Sequence, residues 1–133
     1  MKIDLWMDRE NKKIDPVLFS DKAESLAKVL SKDCANSGKR INKISQIRKF
    51  YDEVIRLDMA SKSKNSDWDS ILPMINMMIA KTAYAKGRKL ISENFLSFIK
   101  SSIKQIKTPE DLAVFANFFE AFYGFYKLHC PAN

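Results

Sequence analysis

Apolar side chains recur along the chain at the three- and four-residue spacing of α-helices. The clearest stripe lies in the stretch 43–60, where these positions are Ile44, Ile47, Tyr51, Val54 and Met59. No segment shows the sustained alternation of apolar and polar residues that a half-buried β strand requires. The pattern therefore predicts an all-α fold.

Five helices are predicted, and each is bounded by capping or loop residues. They cover residues 21–32, 43–60, 68–86, 92–106 and 109–128. Asp21 and Glu24 resemble a capping box at the start of the first helix. Gly87 is expected to close the third helix, and Thr108 followed by Pro109 favours the start of the fifth.

Two of these helices are rich in apolar residues. The third is apolar on most sides, so we expect it to be the central, most buried one, with either a kink or a late first turn at Pro73. The fifth places aromatic rings at offsets of four, three and four residues, at Phe115, Phe119, Phe122 and Tyr126. This spacing predicts packing in the core rather than base stacking.

Length and composition fit one folded domain. The chain has 133 residues, of which 46% are hydrophobic and 29% charged, with only 3 Gly and 4 Pro. So few breakers favour long helices over a many-turned β fold. We expect residues 1–133 to form a single compact bundle of about five helices.

Cysteine usage and hydropathy predict a cytoplasmic chain. Cys34 and Cys130 are far apart in sequence and are expected to be reduced thiols. The first residues lack the pattern of an export signal. The stretch richest in apolar residues, 71–80, is too short to span a membrane and also contains Pro73 and Asn76.

Positive charge is concentrated in the middle of the chain. The net charge is +7 and the pI is about 9.4. Residues 35–66 hold eight basic against three acidic side chains, and residues 67–107 hold seven against three, whereas 1–34 are balanced and 108–133 are acidic. This excess predicts an acidic partner, either nucleic acid or an anionic membrane surface. Because the basic helices use their apolar sides for the core, no membrane partner is expected.

The basic residues at issue lie on the second helix, at the end of the third and in the adjoining loops. The candidate RNA-binding residues are Lys39, Arg40, Lys43, Arg48, Lys49, Arg56, Lys86, Arg88 and Lys89. Lys49 and Arg56 are two helical turns apart, so they share a side that a phosphate backbone can follow. The competing interpretation is ordinary solubilising charge.

A catalytic centre is not indicated. The chain has one histidine, His129, close to the C-terminus, and contains none of the common nucleotide-binding, nucleophile or metal motifs. Carboxylates such as Asp52 and Asp58 alternate with Lys and Arg, as on a solvated helix face. We therefore expect no enzymatic activity, no metal and no cofactor.

Three motifs resemble a known family. The run Ile44-Ser-Gln-Ile-Arg-Lys-Phe-Tyr-Asp-Glu-Val54 is similar to the "SQ-[hydrophobic]-RKFY-x-E-V" signature of the small helical subunit of the type III-A (Csm) CRISPR effector complex. Ala83-Tyr-Ala-Lys-Gly-Arg88 resembles its "YAxGR" segment, and Phe115-x-x-Phe-Phe-Glu-Ala121 resembles its C-terminal helix. The order and spacing agree across residues 41–128.

The resemblance implies a non-catalytic subunit in antiviral defence. Several copies would stack along guide RNA and target RNA, beside other subunits of the Csm complex. Arg48 and Arg88 match the arginines of the first two motifs, so the resemblance implies RNA contact there. The accessory phosphate contacts would be Lys39, Arg40, Lys43, Lys49 and Lys86. Glu120 and Tyr51 would be buried partners. Residues 1–35 form a variable N-terminal part and residues 36–128 the family-like core.

Two other functions stay open from the residues alone. The first is a basic helical protein–protein adaptor, without direct RNA contact, that docks on an acidic partner. The second is a hydrolase using scattered carboxylates, which would require metal-dependent RNA cleavage.

Overall fold

The computed structural model of the chain describes residues 2–130. Its helices are α1 (Ala23–Asn36), α2 (Ile44–Ser61), α3 (Trp68–Gly87), α4 (Glu93–Ile103) and α5 (Pro109–His129). A π-helical turn, Leu18–Lys22, leads directly into α1. Across residues 2–130 the structure has no β strand, only an isolated bridge between Asp8 and Lys13. The prediction of an all-α fold with five helices is confirmed.

Helix α5 forms the centre of the fold. It packs against α1 and α2, while α3 packs against α2 and α4. From α4, the ring of Phe98 lies with its centroid 5.7 to 5.9 Å from four rings of α5. The predicted seam of α5 is fully buried at all its positions, Phe115, Phe119, Phe122 and Tyr126. These aromatic side chains are core residues, as their spacing predicts.

Helix α3 is not the most buried helix, so that prediction is wrong. Met74 and Met77 are 41% and 54% exposed, and Tyr84 is 67% exposed. The physical reason is topological: α3 finds its main neighbours in α2 and α4, whereas α5 is enclosed by α1, α2 and the π turn. Helix α3 begins at Trp68, ahead of Pro73, so it has no late first turn.

The helix starts were predicted with mixed success. At α5 the capping box is present: Thr108 Oγ1 accepts from the Asp111 N–H at 3.3 Å, and Asp111 Oδ2 accepts from the Thr108 N–H at 3.0 Å. The predicted capping box of Asp21 and Glu24 is wrong. Lys22 is the N-cap of α1 and makes no side-chain cap bond, because the chain is already helical when it enters α1 from the π turn.

The N-terminal segment, residues 2–13, lies against the connection between α4 and α5. Ile3 and Leu5 are buried in the core. The Gln105 side chain accepts from the Leu5 N–H at 2.8 Å and donates to the Ile3 carbonyl at 2.6 Å. The chain turns at Gln105, so α4 ends at Ile103, three residues before the predicted end.

The two cysteines meet in space despite their separation in sequence. The Cys130 thiol donates to Cys34 Sγ across 3.5 Å, which joins the end of α5 to the end of α1. His129 Nε2 lies 2.8 Å from Glu24 in the first turn of α1, so the end of α5 also contacts the start of that helix. None of the helices within residues 2–130 combines the length and apolar composition needed to cross a bilayer.

Candidate nucleic-acid interface

Two basic loops lie side by side at one end of the bundle. The loop between α1 and α2 carries Lys39, Arg40 and Lys43, and the end of α3 carries Lys86, Arg88 and Lys89. Both loops follow helix C-termini, where the partial negative charge of the last carbonyls favours basic side chains. Folding therefore brings together cations that lie about fifty residues apart in sequence.

Helix α3 ends at Gly87, as predicted, but the left-handed residue of its C-terminal motif is Lys89 rather than the glycine. Lys89 has φ +62°, and its N–H donates to the Lys86 carbonyl at 3.0 Å. The Leu90 N–H donates to the Ala85 carbonyl at 3.0 Å, which completes a Schellman motif. A left-handed conformation costs a residue with a Cβ about 1 kcal/mol, so Lys89 is held in place by its neighbours.

Asn42 joins the two loops. It is fully buried and has φ +55°. Its N–H donates to the Leu90 carbonyl at 3.0 Å, and its Oδ1 accepts from the Ser92 N–H at 2.9 Å. Its amide group also donates to Leu30 on α1 and to Ser92 Oγ, and its carbonyl accepts from the Tyr126 hydroxyl on α5. The side chain and the backbone of one residue thus fix the two loops relative to each other.

Seven predicted RNA-binding cations form no salt bridge with a carboxylate among residues 2–130. We call this set the cationic surface; it consists of Lys39, Arg40, Lys43, Lys49, Lys86, Arg88 and Lys89. All of them are exposed except Lys86, which is half-buried. An unpaired cation gives up no internal ion pair when it meets a phosphate.

Two further predicted residues are paired with acids. Arg56 makes two hydrogen bonds to Glu53, at 2.8 and 2.9 Å, and the pairing lowers the pKa of Glu53. Arg48 is exposed and lies 3.8 Å from Asp52. An exposed ion pair of this kind contributes little to stability. RNA contact by Arg48 and Arg56 stays a prediction, but Arg56 would have to leave Glu53 to make it.

A groove of about 570 Å³ runs between α2 and α3. Lys49 of α2 lines one wall, and Lys81, Tyr84 and Arg88 of α3 line the other. Lys81 and Tyr84 were absent from the predicted set. Their spacing to Arg88, seven and four residues, places all three on one helix face, and this periodicity was the signal available in the sequence.

A second groove of about 530 Å³ lies between the end of α1 and the α3–α4 loop. Its walls carry Lys86 and Lys89 together with Asp33 and Glu93, so its charge is mixed. The two grooves flank the stretch from Lys86 to Leu90, so Lys86 and Lys89 line one groove and Arg88 lines the other.

Several remaining expectations concern residues outside this surface. Glu120 is exposed rather than buried, whereas Tyr51 is half-buried and stacks on Tyr123 with centroids 5.0 Å apart. Burial is the main cause that raises the pKa of Tyr51. Within residues 2–130, no group of three His, Cys, Asp or Glu side chains is arranged to hold a metal ion.

Comparison with known proteins gives two matches. A protein-family model described as Csm2 Type III-A matches residues 15–131. The "CRISPR system Cms protein Csm2" of Streptococcus thermophilus is 26% identical over 113 residues, which cover 84% of this chain and 90% of that protein. No solved structure matches the chain. The matched region begins at residue 15, so it extends further toward the N-terminus than the resemblance over residues 41–128.

Proposed function

We propose that this chain, which belongs to the type III-A Csm2 family, holds RNA within the type III-A CRISPR effector complex through its cationic surface. Membership of the family makes it a small subunit of that complex, with other Csm subunits as partners. The contact with guide and target RNA is the step that we add.

One observation carries the proposal: seven exposed or half-exposed cations without carboxylate partners among residues 2–130 lie together on adjoining elements. Basic side chains that served only solubility could be scattered over the surface and paired with acidic side chains. A set of this kind can neutralise several phosphates at once, and the release of counterions from the RNA then favours binding.

The proposed role is non-catalytic. Cations that contact phosphates position a nucleic acid but do not read its sequence. Sequence choice would then belong to base pairing between guide and target, as in other RNA-guided effectors. A cytoplasmic location follows from this proposal, because the guide and target RNAs that it invokes are intracellular molecules.

Stacking of several copies along the RNA is part of the proposal. The exposed side chains of Met74 and Met77 on α3 offer apolar area for contacts between neighbouring subunits. Copies related by translation along one strand would each present the same cationic surface to it.

The test is a salt titration of RNA binding by fluorescence anisotropy, with a labelled single-stranded RNA and the purified chain. For the wild type we expect affinity to fall steeply with salt. In the double variant Lys49→Ala, Arg88→Ala, the slope of log Kd against log salt should become shallower by about 1.4, since each neutralised phosphate of a single strand contributes about 0.7.

The matched control is the double variant Lys100→Ala, Lys104→Ala, which removes the same charge from exposed lysines at the end of α4. It should leave the slope nearly unchanged. Equal slopes in the wild type and in the Lys49, Arg88 variant would refute the assigned surface. A wild-type chain without RNA affinity that instead binds another protein tightly would favour the adaptor.

A further inference from the structure

Tyr84 is the most exposed aromatic side chain of the groove between α2 and α3. It is 67% exposed. Tyrosine usually buries most of its ring, although single exposed apolar residues are common on protein surfaces and need no explanation. Tyr84 differs from them because three cations, Lys49, Lys81 and Arg88, line the same groove.

The Tyr84 ring is in contact with Arg88, the C-cap residue of α3, which lies one turn further along the chain. The Arg88 guanidinium carbon lies 5.7 Å from the centroid of the Tyr84 ring. This separation is within the range of a cation–π contact. The Arg88 N–H also donates to the Tyr84 carbonyl at 3.0 Å. Because the end of α3 carries both residues, a flat π surface and a positive charge are fixed side by side before any ligand arrives.

The charge balance of the groove also favours an anion. Among the described residues that line it, Glu53 is the only acid. Its carboxylate is engaged by Arg56 at 2.8 Å and by Lys81 at 3.6 Å, so Lys49 and Arg88 remain for a ligand. The groove volume is about 570 Å³. Sites that bind small organic molecules have volumes of this size.

From this arrangement we infer that Tyr84 is a stacking platform for an unpaired nucleobase of the bound RNA, with Lys49 and Arg88 holding the adjoining phosphates. The inference rests on the proposed function and adds a contact that phosphate neutralisation alone does not provide. Unpaired bases stack on aromatic side chains with little dependence on sequence, because every base has a π face. Bases inside a duplex do not offer that face.

The test compares three polyanions: a single-stranded RNA oligonucleotide, the same RNA annealed into a duplex, and inorganic polyphosphate. For Tyr84→Ala we expect about ten-fold weaker binding of the single strand, and no change for duplex or polyphosphate. The salt slope for the single strand should equal that of the wild type, because no phosphate contact is lost. Tyr84→Phe keeps the ring and should bind like the wild type.

Met59→Ala is the matched control, because Met59 is also 67% exposed and does not line the groove. It should bind all three polyanions normally. Unchanged binding of the single strand by Tyr84→Ala would overturn the stacking contact while leaving the cationic surface in place. Equal losses for RNA and polyphosphate would also overturn it. A wild-type chain that binds no RNA would refute the proposed function itself.

Discussion

At position 42 one asparagine side chain serves two neighbours, and its backbone serves two more. The side chain bonds to Leu30 of α1 and to Ser92 at the N-cap of α4. The backbone N–H donates to the Leu90 carbonyl, and the backbone carbonyl accepts from the Tyr126 hydroxyl of α5. The backbone of Asn42 has a φ of +55°. Asparagine suits this position because it tolerates the left-handed region better than other residues with a Cβ, and because its amide both donates and accepts.

Asn42→Ala should lower the free energy of unfolding by about 2 to 4 kcal/mol, because it leaves the Ser92 N–H buried without its partner and adds strain in the left-handed region. Asn42→Gly removes the same side-chain hydrogen bonds but adds no strain. Its decrease in the free energy of unfolding should therefore be smaller by about 1 kcal/mol. Urea denaturation measures both changes.

Asn76→Ala provides the control for that comparison. Asn76 is exposed, and its side chain donates within its own helix, to the Leu72 carbonyl at 3.0 Å. Asn76→Ala should change the free energy of unfolding by no more than about 0.5 kcal/mol. If Asn42→Ala costs no more than Asn76→Ala, Asn42 does not hold the two loops together.

Among the elements, the N-terminal segment is tied to the start of α5 by the carboxylate of Asp111. Asp111 is almost completely buried and accepts from Trp6 Nε1 and Arg9 Nη1, each at 2.8 Å, and from the Lys107 N–H at 2.7 Å. Burial by itself raises the pKa of Asp111, but these hydrogen bonds and that from the Thr108 N–H outweigh it and lower the pKa. Asp111 therefore couples the segment to the start of α5.

The sign of the pH dependence follows from this lowered pKa. A carboxyl with a lower pKa in the folded chain stabilises the fold above its unfolded value of about 3.9, and that contribution is lost as the pH falls through the folded pKa. Asp111→Asn should cost about 2 to 4 kcal/mol at neutral pH and should flatten the loss of stability below about pH 4.

Urea denaturation at a series of pH values, followed by the fluorescence of Trp6 and Trp68, measures this difference. Asp69→Asn is the control, because it replaces an exposed acid in the first turn of α3. It should leave both the stability and its pH dependence close to those of the wild type. Parallel stability–pH curves for wild type and Asp111→Asn would contradict the assigned role.

The starts of α4 and α5 were predictable because local residues specify them. Thr108 and Pro109 mark the start of α5 by their own chemistry, and Ser92 does the same for α4. Placement of the helices was not predictable in the same way. The apolar pattern of α3 does not reveal how many neighbours surround it, and so the exposure of Met74 and Met77 went unforeseen.

The clustering of the basic residues was predictable from the sequence, but their pairing with acids was not, and RNA contact by them stays a prediction. Clustered charge along the sequence identified Lys49 and Arg88. It did not show that Glu53 engages Arg56, because helix spacing allows several partners for one acid. Asn42 left no signal in the pattern, since a polar residue between basic neighbours is typical of any loop.

At the scale of the whole molecule, a charge of +7 opposes self-association. Two copies brought together without a counter-charge repel each other, whereas an RNA strand neutralises the cationic surface of each. Stacking of copies should therefore depend on RNA. This dependence on RNA distinguishes the proposed stacking from a constitutive oligomer that apolar contacts alone would hold together.

Sedimentation velocity measures this dependence. Without RNA at low salt we expect one copy per particle. With a strand of about 12 nucleotides and one about three times longer, the number of bound copies should rise roughly in proportion to length. A charge-neutral polymer of similar length should produce no assembly. Constant stoichiometry on the two strands would refute stacking along RNA.

The bond between Asn42 and Leu90 also limits how the gene can change. An inserted or deleted codon between α1 and α2, or between α3 and α4, would shift Asn42 or Leu90 out of register and separate the two loops. The connection between α2 and α3, residues 62–67, is exposed and bears no such restriction. Length variation among orthologues is therefore expected to accumulate in residues 62–67, while the other two connections keep their length.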